Sequence, residues 1–226
     1  MAGQLVEFAS NGSKAQGYLA RPSSSRGPGV IVIQEWWGLV DHIKGVADRF
    51  AAEGFFALAP DLYRGETTTS PDDAGRLMMA LKIDLAVADL AGCIKYLVEL
   101  EGVSPEKVGT VGFCMGGQLA LAAACKSAKV GACADFYGVH PGITLDFSAL
   151  AAPVLGIFAE NDGFVNAEAV RKLENDIRSA GKRCDFHTYP GVDHAFFNES
   201  RPDVYNEDAA KDAWGRTMRF FREHLA

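Results

Sequence analysis

The sequence predicts an α/β protein in which helices cover both faces of a mostly parallel sheet. Short apolar runs alternate with amphipathic stretches of about ten residues or more, a pattern typical of strands joined by crossover helices. The central runs are continuously apolar, as expected of parallel strands that are buried on both faces. Because no linker, charge block or internal repeat interrupts the chain, we expect one domain over residues 1–226.

The predicted strands begin with a hairpin. Residues 4–8 and 16–21 are joined through Asn11-Gly12, a pair that is typical of tight hairpin turns. Residues 29–34 form a β-branched run after Pro28, which indicates a strand buried on both faces. The remaining strands are predicted over residues 55–59, 107–113, 130–137, 153–159 and 184–189.

Helices are predicted between these strands. Asp41 is expected to cap the first helix, which Gly54 ends. Residues 63–72 are rich in Gly, Thr, Ser, Pro and Asp and are predicted to form a surface loop. Residues 74–100 form one helix or two, since residues 82–84 interrupt their apolar spacing. The other helices are predicted over residues 116–126, 167–179 and 205–225.

The charge and hydropathy of the chain exclude several classes of partner. It has 22 Lys and Arg against 29 Asp and Glu, which gives a net charge of −7. An acidic chain is a poor match for a phosphate backbone, so no nucleic-acid partner is expected. No apolar run approaches the ~18 residues that span a bilayer. The N-terminus lacks the basic segment followed by an apolar stretch that is typical of a signal peptide. We therefore expect no membrane association and a cytoplasmic location.

The cysteines and histidines do not predict a metal site or a disulfide framework. The five cysteines are odd in number and include no C-x-x-C pair. The five histidines are scattered, and no His/Cys cluster has the spacing of zinc ligands. We expect neither a metal nor a cofactor, and most of the cysteines are predicted to be small buried hydrophobic residues.

One cysteine lies in a motif of its own, Gly112-Phe-Cys-Met-Gly116. The motif follows a predicted strand and opens a predicted helix, which is the context of the G-x-S-x-G nucleophile elbow with Cys in place of Ser. Side chains at the glycine positions would collide with neighbouring backbone, and a helix N-terminus lowers the pKa of a thiol. The pattern predicts Cys114 as a nucleophile; the alternative is a glycine-rich turn with a buried cysteine.

A base and an acid are expected later in the chain, in that scaffold's order of nucleophile, acid and histidine. His194 lies in the loop after the last predicted strand and is the expected base, whereas His187 lies inside that strand. Asp162 begins the turn after residues 153–159 and is the expected orienting acid, with Glu160 as its competitor. Asp193 is adjacent to His194, and neighbouring side chains rarely face one another.

Two backbone N–H groups are needed to bind a developing oxyanion. One is expected from Met115, directly after the nucleophile, and the other from the loop Glu35-Trp-Trp-Gly38 after residues 29–34. Glu35 brings a carboxylate to the mouth of a buried strand, where it is expected to perturb the titration of the nucleophile. Trp37 either lines the site or packs in the core.

These segments carry a resemblance to the dienelactone hydrolase, or carboxymethylenebutenolidase-like, family of the α/β-hydrolase superfamily. The resemblance implies an α/β-hydrolase fold with about seven to eight strands, a triad of Cys114, His194 and Asp162, and oxyanion amides at Trp36 and Met115. It also implies that Glu35 contacts the resting cysteine and gates thiolate formation. The matching segments are VIVIQEWWG (30–38), APDLYR (59–64), VGTVGFCMGG (108–117), DFYG (135–138), ENDGFV (160–165) and PGVDHAF (190–196).

The expected reaction is hydrolysis of an activated ester, such as an enol lactone, through a thioester intermediate. The expected partner is this small-molecule substrate, and the enzyme is expected to be a monomer. The sequence departs from the family at the two arginines that bind the substrate carboxylate, because Asn198 and Pro71 occupy those places. A broader small-acyl esterase or thioesterase is therefore an alternative, as is a non-catalytic binding protein of the same fold. The substrate pocket is expected to include Trp37, Tyr63, Arg64, Arg76, Tyr137 and Phe196.

Overall fold

The computed structural model describes residues 3–138 and 140–225. Within these residues, eight strands form one sheet in the order β1-β2-β4-β3-β5-β6-β7-β8. Every neighbouring pair from β4 to β8 is parallel, whereas β2 runs antiparallel to both β1 and β4. The strands are β1 (Gln4–Ser10), β2 (Ser13–Ala20), β3 (Gly27–Ile33), β4 (Phe56–Pro60), β5 (Val103–Phe113), β6 (Val130–Phe136), β7 (Val154–Ala159) and β8 (Cys184–Tyr189).

Helices cover both faces of the sheet, as the sequence predicts. One face packs against α1 and α6, and the other packs against α3 and α4. The continuously buried central strands lie between these two cores, which explains why their sequences are apolar at almost every position. The helices are α1 (Asp41–Ala52), α2 (Pro71–Ala80), α3 (Ile83–Glu99), α4 (Met115–Lys126), α5 (Ala167–Ser179) and α6 (Glu207–Leu225).

Several element boundaries differ from the predicted ones. The N-cap residue of α1 is Val40, and Asp41 lies inside the first turn, where the helix dipole favours an acid. Helix α2 begins at Pro71, inside the predicted loop, because the Ser70 hydroxyl accepts from the N–H of Asp73 and Pro fits the first helical position. The predicted region 74–100 is two helices. Strand β5 begins at Val103, four residues before the prediction.

The hairpin prediction is confirmed. Asn11 and Gly12 both have positive φ, 47° and 73°, as a type I′ turn requires, and they join β1 to β2. Within the described ranges, no helix combines the length and the apolar character needed to cross a bilayer.

The parallel arrangement places four predicted functional residues at one edge of the sheet. Glu35 follows β3, Cys114 follows β5, Asp162 follows β7 and His194 follows β8. The carboxyl ends of parallel strands lie on the same edge, which is where open α/β sheets form their ligand sites.

Candidate active site

Cys114 lies on the turn between β5 and α4 with φ 54° and ψ −123°. Such a conformation costs a non-glycine residue about 1–3 kcal/mol, so the surrounding structure must hold it. The N–H of Cys114 donates to the carbonyl of Phe136 at 3.0 Å, and its carbonyl accepts from Gly117 at 2.9 Å. A Cβ at Gly112 would overlap the backbone of Gly116, which explains the glycine at that position of the motif.

The Cys114 thiol is buried. Burial is the largest influence and raises its pKa well above the usual range, and the carboxylates of Glu35 and Asp162 raise it further. The backbone N–H groups of Met115 and Trp36 lower the pKa of the thiol, but they do not outweigh burial. The resting sulfur is therefore a thiol that faces two backbone donors.

His194 and Asp162 form a hydrogen-bonded pair, with 2.7 Å between Nδ1 and Oδ2. The Asp162 side chain has no exposed surface, and its Oδ1 accepts from the N–H groups of Phe164 at 2.7 Å and Val165 at 2.8 Å. Because the carboxylate can only accept, Nδ1 carries the imidazole proton. The competing acid, Glu160, instead accepts from the N–H of Gly191 at 2.8 Å.

The imidazole of His194 lies between two aromatic rings, with centroid distances of 4.9 Å to Tyr137 and 5.0 Å to Phe164. Its Nε2 is buried and has no hydrogen-bond partner among the described residues. That nitrogen is consequently available as a proton acceptor. The other strand-end histidine, His140, is occupied elsewhere: its ring binds the carbonyl of Met78 and the N–H of Gly142.

Glu35 is almost completely buried next to these groups. Its Oε2 accepts from Nδ2 of Asn198 at 2.6 Å, and its Oε1 has no partner within the described part of the chain. Burial raises the pKa of Glu35 to about 7, although the hydrogen bond from Asn198 and the positions of His194 and Arg201 oppose the shift. Glu35 therefore changes its charge near neutral pH, close to the thiol.

Cys114, His194 and Glu35 line one cavity of about 530 Å³. Most of its wall is apolar and is formed by aromatic, proline, methionine and alanine side chains. Among the described residues that line it, Arg201 is the only one with a fixed positive charge. The remaining lining residues are Trp36, Trp37, Pro71, Met78, Pro141, Phe164 and Ala195.

A larger depression of about 1020 Å³ lies between the start of α3 and residues 142–149. It contains none of the three predicted triad residues, and burial raises the pKa of its one cysteine, Cys125, to about 11. It is larger, but no histidine is among the described residues that line it, so the smaller cavity is the candidate active site. No group of three or more His, Cys, Asp or Glu within the described ranges is arranged to hold a metal ion.

A family model described as "Dienelactone hydrolase family" matches residues 15–225. The chain belongs to the dienelactone hydrolase family. The resemblance predicted from the sequence, and with it the α/β-hydrolase fold, is thereby confirmed.

Several known proteins are similar to this chain over almost its whole length. "Protein usf" of Aquifex pyrophilus is 43% identical over 230 residues, which cover 99% of each chain. A "Putative carboxymethylenebutenolidase" of Aquifex aeolicus is 38% identical, again over 99% of each chain. The crystal structure of a "Putative Dienelactone Hydrolase" of Klebsiella pneumoniae has a TM-score of 0.86 and 29% identity, over 99% of this chain and 100% of that one.

The six predicted pocket residues of this dienelactone hydrolase family member fall into three groups. Trp37 lines the cavity. Tyr63, Tyr137 and Phe196 are buried outside the lining: the Tyr63 hydroxyl donates to Sδ of Met115 at 3.3 Å, and Tyr137 packs on His194. These three residues support the walls of the site.

The two arginines predicted to contact the substrate lie outside the cavity. Arg64 is paired with Asp89 at 2.5 Å, and Arg76 is paired with Asp73 at 3.0 Å on the exposed face of α2. Sequence reasoning missed Arg201, which lines the cavity seven residues after His194. It lies in an irregular segment, where neither the spacing of apolar residues nor a motif indicates the direction of a side chain. It also missed Phe164, although that residue directly follows the turn of the predicted acid.

Proposed function

We propose that this family member hydrolyses activated carboxylic esters, with enol lactones as the model substrates, through Cys114, His194 and Asp162. The observation that carries the proposal is the 2.7 Å hydrogen bond between His194 and Asp162, which leaves Nε2 free in the cavity that also contains the sulfur. A nucleophile and a base that line one cavity, with a buried acid that orients the base, are the parts that acyl transfer needs.

In the first half of the reaction, Nε2 of His194 takes the proton of the Cys114 thiol. The thiolate attacks the ester carbonyl carbon and forms a carbon–sulfur bond, while the backbone N–H groups of Met115 and Trp36 bind the oxyanion. The tetrahedral intermediate then expels the ester oxygen as an enolate or alkoxide, and the proton of the imidazolium passes to this leaving group, so that His194 is neutral again. Asp162 stabilises the imidazolium throughout this half.

In the second half, His194 takes a proton from water, and the resulting hydroxide attacks the thioester carbonyl. The carbon–sulfur bond breaks, the carboxylic acid leaves, and the proton on His194 returns to the sulfur. Glu35 influences both halves, because its negative charge opposes the thiolate. A neutral Glu35, or one that substrate has displaced, therefore favours the attack.

The sulfur nucleophile limits the substrate to esters with good leaving groups. A thiolate leaves a tetrahedral intermediate more readily than an alkoxide does, so an alkyl ester would return to the starting state. An enolate is a weaker base and leaves in competition with the thiolate. We therefore expect the enzyme to prefer enol lactones and other activated esters over ordinary alkyl esters.

A broader activity on small-acyl esters or thioesters is the second candidate. The observation that favours it is the mainly apolar wall of the cavity, together with the positions of Arg64 and Arg76 outside it. A non-catalytic binding protein of the same fold is a weaker alternative, because such a protein has no need for the His194–Asp162 pair.

The test is turnover of dienelactone, followed by its ultraviolet absorbance, beside an aryl ester, a thioester and an unactivated ethyl ester. We expect turnover of the activated substrates by the wild-type protein and none by Cys114→Ala. Cys125→Ala, which removes a thiol outside the cavity, is the matched control and is expected to retain activity. Equal rates on the enol lactone and the ethyl ester would contradict the proposed selectivity, and activity in Cys114→Ala would contradict the nucleophile.

A further inference from the structure

Asn198 joins the loop after β8 to the loop after β3. It is almost completely buried, and its Nδ2 donates to Oε2 of Glu35 at 2.6 Å, across 163 positions of sequence. Its backbone is held at both ends, since its N–H donates to the carbonyl of Ala195 and its carbonyl accepts from Arg201. The side chain is therefore presented to Glu35 by a fixed segment of chain.

Ser200 determines which end of the Asn198 amide faces Glu35. The amide oxygen accepts from the backbone N–H of Ser200 at 3.0 Å and from its hydroxyl at 2.6 Å. A backbone N–H can only donate, so the atom it contacts must be the oxygen, and the NH₂ group must point to Glu35. The hydrogen bonds to Ser200 therefore distinguish the oxygen of the Asn198 amide from its nitrogen.

The amide holds Glu35 without neutralising it. The other charged or titratable groups that face Glu35 are Cys114, Tyr137, His194 and Arg201. His194 and Arg201 favour the ionised carboxyl group, whereas burial keeps the Cys114 thiol and the Tyr137 phenol neutral. The hydrogen bond from Asn198 also favours the ionised form, so it opposes the effect of burial on Glu35.

We propose that Asn198 is a positioning residue that, together with Ser200, holds Glu35 beside the Cys114 thiol and sets the pH at which Glu35 stops suppressing the thiolate. This inference rests on the proposed role of Cys114 as the nucleophile. An ionised Glu35 opposes the thiolate; when Glu35 takes a proton from solvent, the proton of Cys114 passes to Nε2 of His194 and the thiolate forms. A cation in place of Asn198 would keep Glu35 ionised, whereas the neutral amide allows it to titrate.

The inference is tested by the rate at which iodoacetamide alkylates Cys114 between about pH 5 and pH 9, since only the thiolate reacts. Mass spectrometry of the Cys114 peptide separates this reaction from that of the partly exposed Cys184. In the wild-type protein we expect the increase of rate with pH to flatten near pH 7, where Glu35 ionises. The flattening is expected to disappear in Glu35→Gln.

Asn198→Leu removes the donor and keeps the number and branching of the side-chain heavy atoms. We expect the flattening to move to higher pH by about half a unit or more, because the ionised Glu35 loses its hydrogen bond. Alkylation just above pH 7 then becomes about threefold faster. Ser200→Ala is expected to shift the profile in the same direction by less, and Ser127→Ala, which removes a hydroxyl outside the cavity, is expected to leave it unchanged.

Profiles of Asn198→Leu and Ser200→Ala that coincide with the wild-type profile would overturn the inference, as would rates that change equally at every pH. If Asn198→Leu does not fold, Ser200→Ala decides alone. The readout involves no ester, so it separates the two proposals. A shifted profile in a protein that hydrolyses none of the esters supports Asn198 as a positioning residue and contradicts only the proposed function.

Discussion

Phe164 contacts both members of the His194–Asp162 pair. Its backbone N–H donates to Oδ1 of Asp162 at 2.7 Å, and its ring centroid lies 5.0 Å from that of His194. Tyr137 packs against the same imidazole at 4.9 Å. One turn thus fixes the acid through its backbone and the base through its side chain, and it excludes water from the hydrogen bond between them, which strengthens that bond.

Asp162→Asn is expected to lower kcat by about 10³–10⁴-fold with little change in the fold. The amide oxygen can still accept from the N–H groups of Phe164 and Val165. The NH₂ group, however, would donate to Nδ1 of His194, so the imidazole proton would move to Nε2 and the base would be lost. The measurement is kcat on an activated ester, with circular dichroism to verify the fold.

Glu160→Gln is the matched control for this substitution, because Glu160 is the neighbouring acid and contacts Gly191 rather than His194. We expect it to retain kcat within about threefold, as for a change outside the reacting groups. Equal losses in Asp162→Asn and Glu160→Gln would contradict the assignment of Asp162.

Phe164→Ala is expected to lower kcat/KM for aryl esters by about three- to tenfold, which corresponds to the loss of an aromatic contact. The side chain is 64% exposed, so its removal should change the melting temperature little. Leu5→Ala removes an equally exposed apolar side chain, at 66%, far from the cavity and is the control. An unchanged kcat/KM in Phe164→Ala would show that its ring does not contact the substrate.

Arg201→Ala is expected to raise KM for a carboxylate-bearing ester by about tenfold and to leave KM for a neutral ester within about twofold. Arg201 lines the cavity, and its guanidinium is held by Asp203 at 2.7 Å and lies 6.0 Å from the ring centroid of Trp37. Arg76→Ala, on the exposed face of α2, is the control and should change neither value. The reverse result, an effect of Arg76 alone, would support the interpretation made from the sequence.

The order and type of the elements could be predicted because the spacing of apolar residues and the positions of Gly, Pro and other turn-forming residues indicate the same elements along most of the chain. The predicted spans of α5 and β8 match those in the structure. The errors lie where contacts between elements determine the boundary of an element. Strand β5, for example, extends to Val103 because Gly27 of β3 pairs with that residue. The start of α2 was missed because Pro and Ser occur in loops as well as at helix N-termini.

Within the candidate site, the sequence could predict the residues that follow strands directly. The position of such residues is determined by the strand, so Cys114, Asp162 and His194 were expected at one edge of the sheet. It could not predict the role of Arg201 or of Asn198, because both lie in the irregular segment before α6 and their direction depends on long-range packing. Arg64 and Arg76 were assigned to a pocket that neither lines, because their directions are set by ion pairs with Asp89 and Asp73 that the sequence does not indicate.

Asp135 is a buried carboxyl group close to the turn that carries Cys114, and the effect of its ionisation on stability can be measured. Its side chain is fully buried at the end of β6, where it lies against Gly117 and Gly138. Burial raises its pKa to about 7, and the N–H of Gly138 offsets this only in part. In the unfolded chain the same carboxyl group ionises near its ordinary value of 3.8. The stability that the neutral form contributes is therefore fully present below about pH 4 and is lost as pH rises to about 7.

Asp135→Asn cannot ionise, so its stability relative to the wild-type protein should increase between pH 4 and pH 7 and then remain constant. We expect a gain of about 2 kcal/mol over this interval, less than the full pKa difference implies because the buried charge relaxes its surroundings. Urea unfolding at several pH values measures it, with Asp185→Asn at an exposed position of β8 as the control. Glu35 has the same sign of shift, but it is present in both proteins and cancels in the difference. A difference between Asp135→Asn and wild type that does not depend on pH would mean that Asp135 is ionised in the folded protein throughout this range.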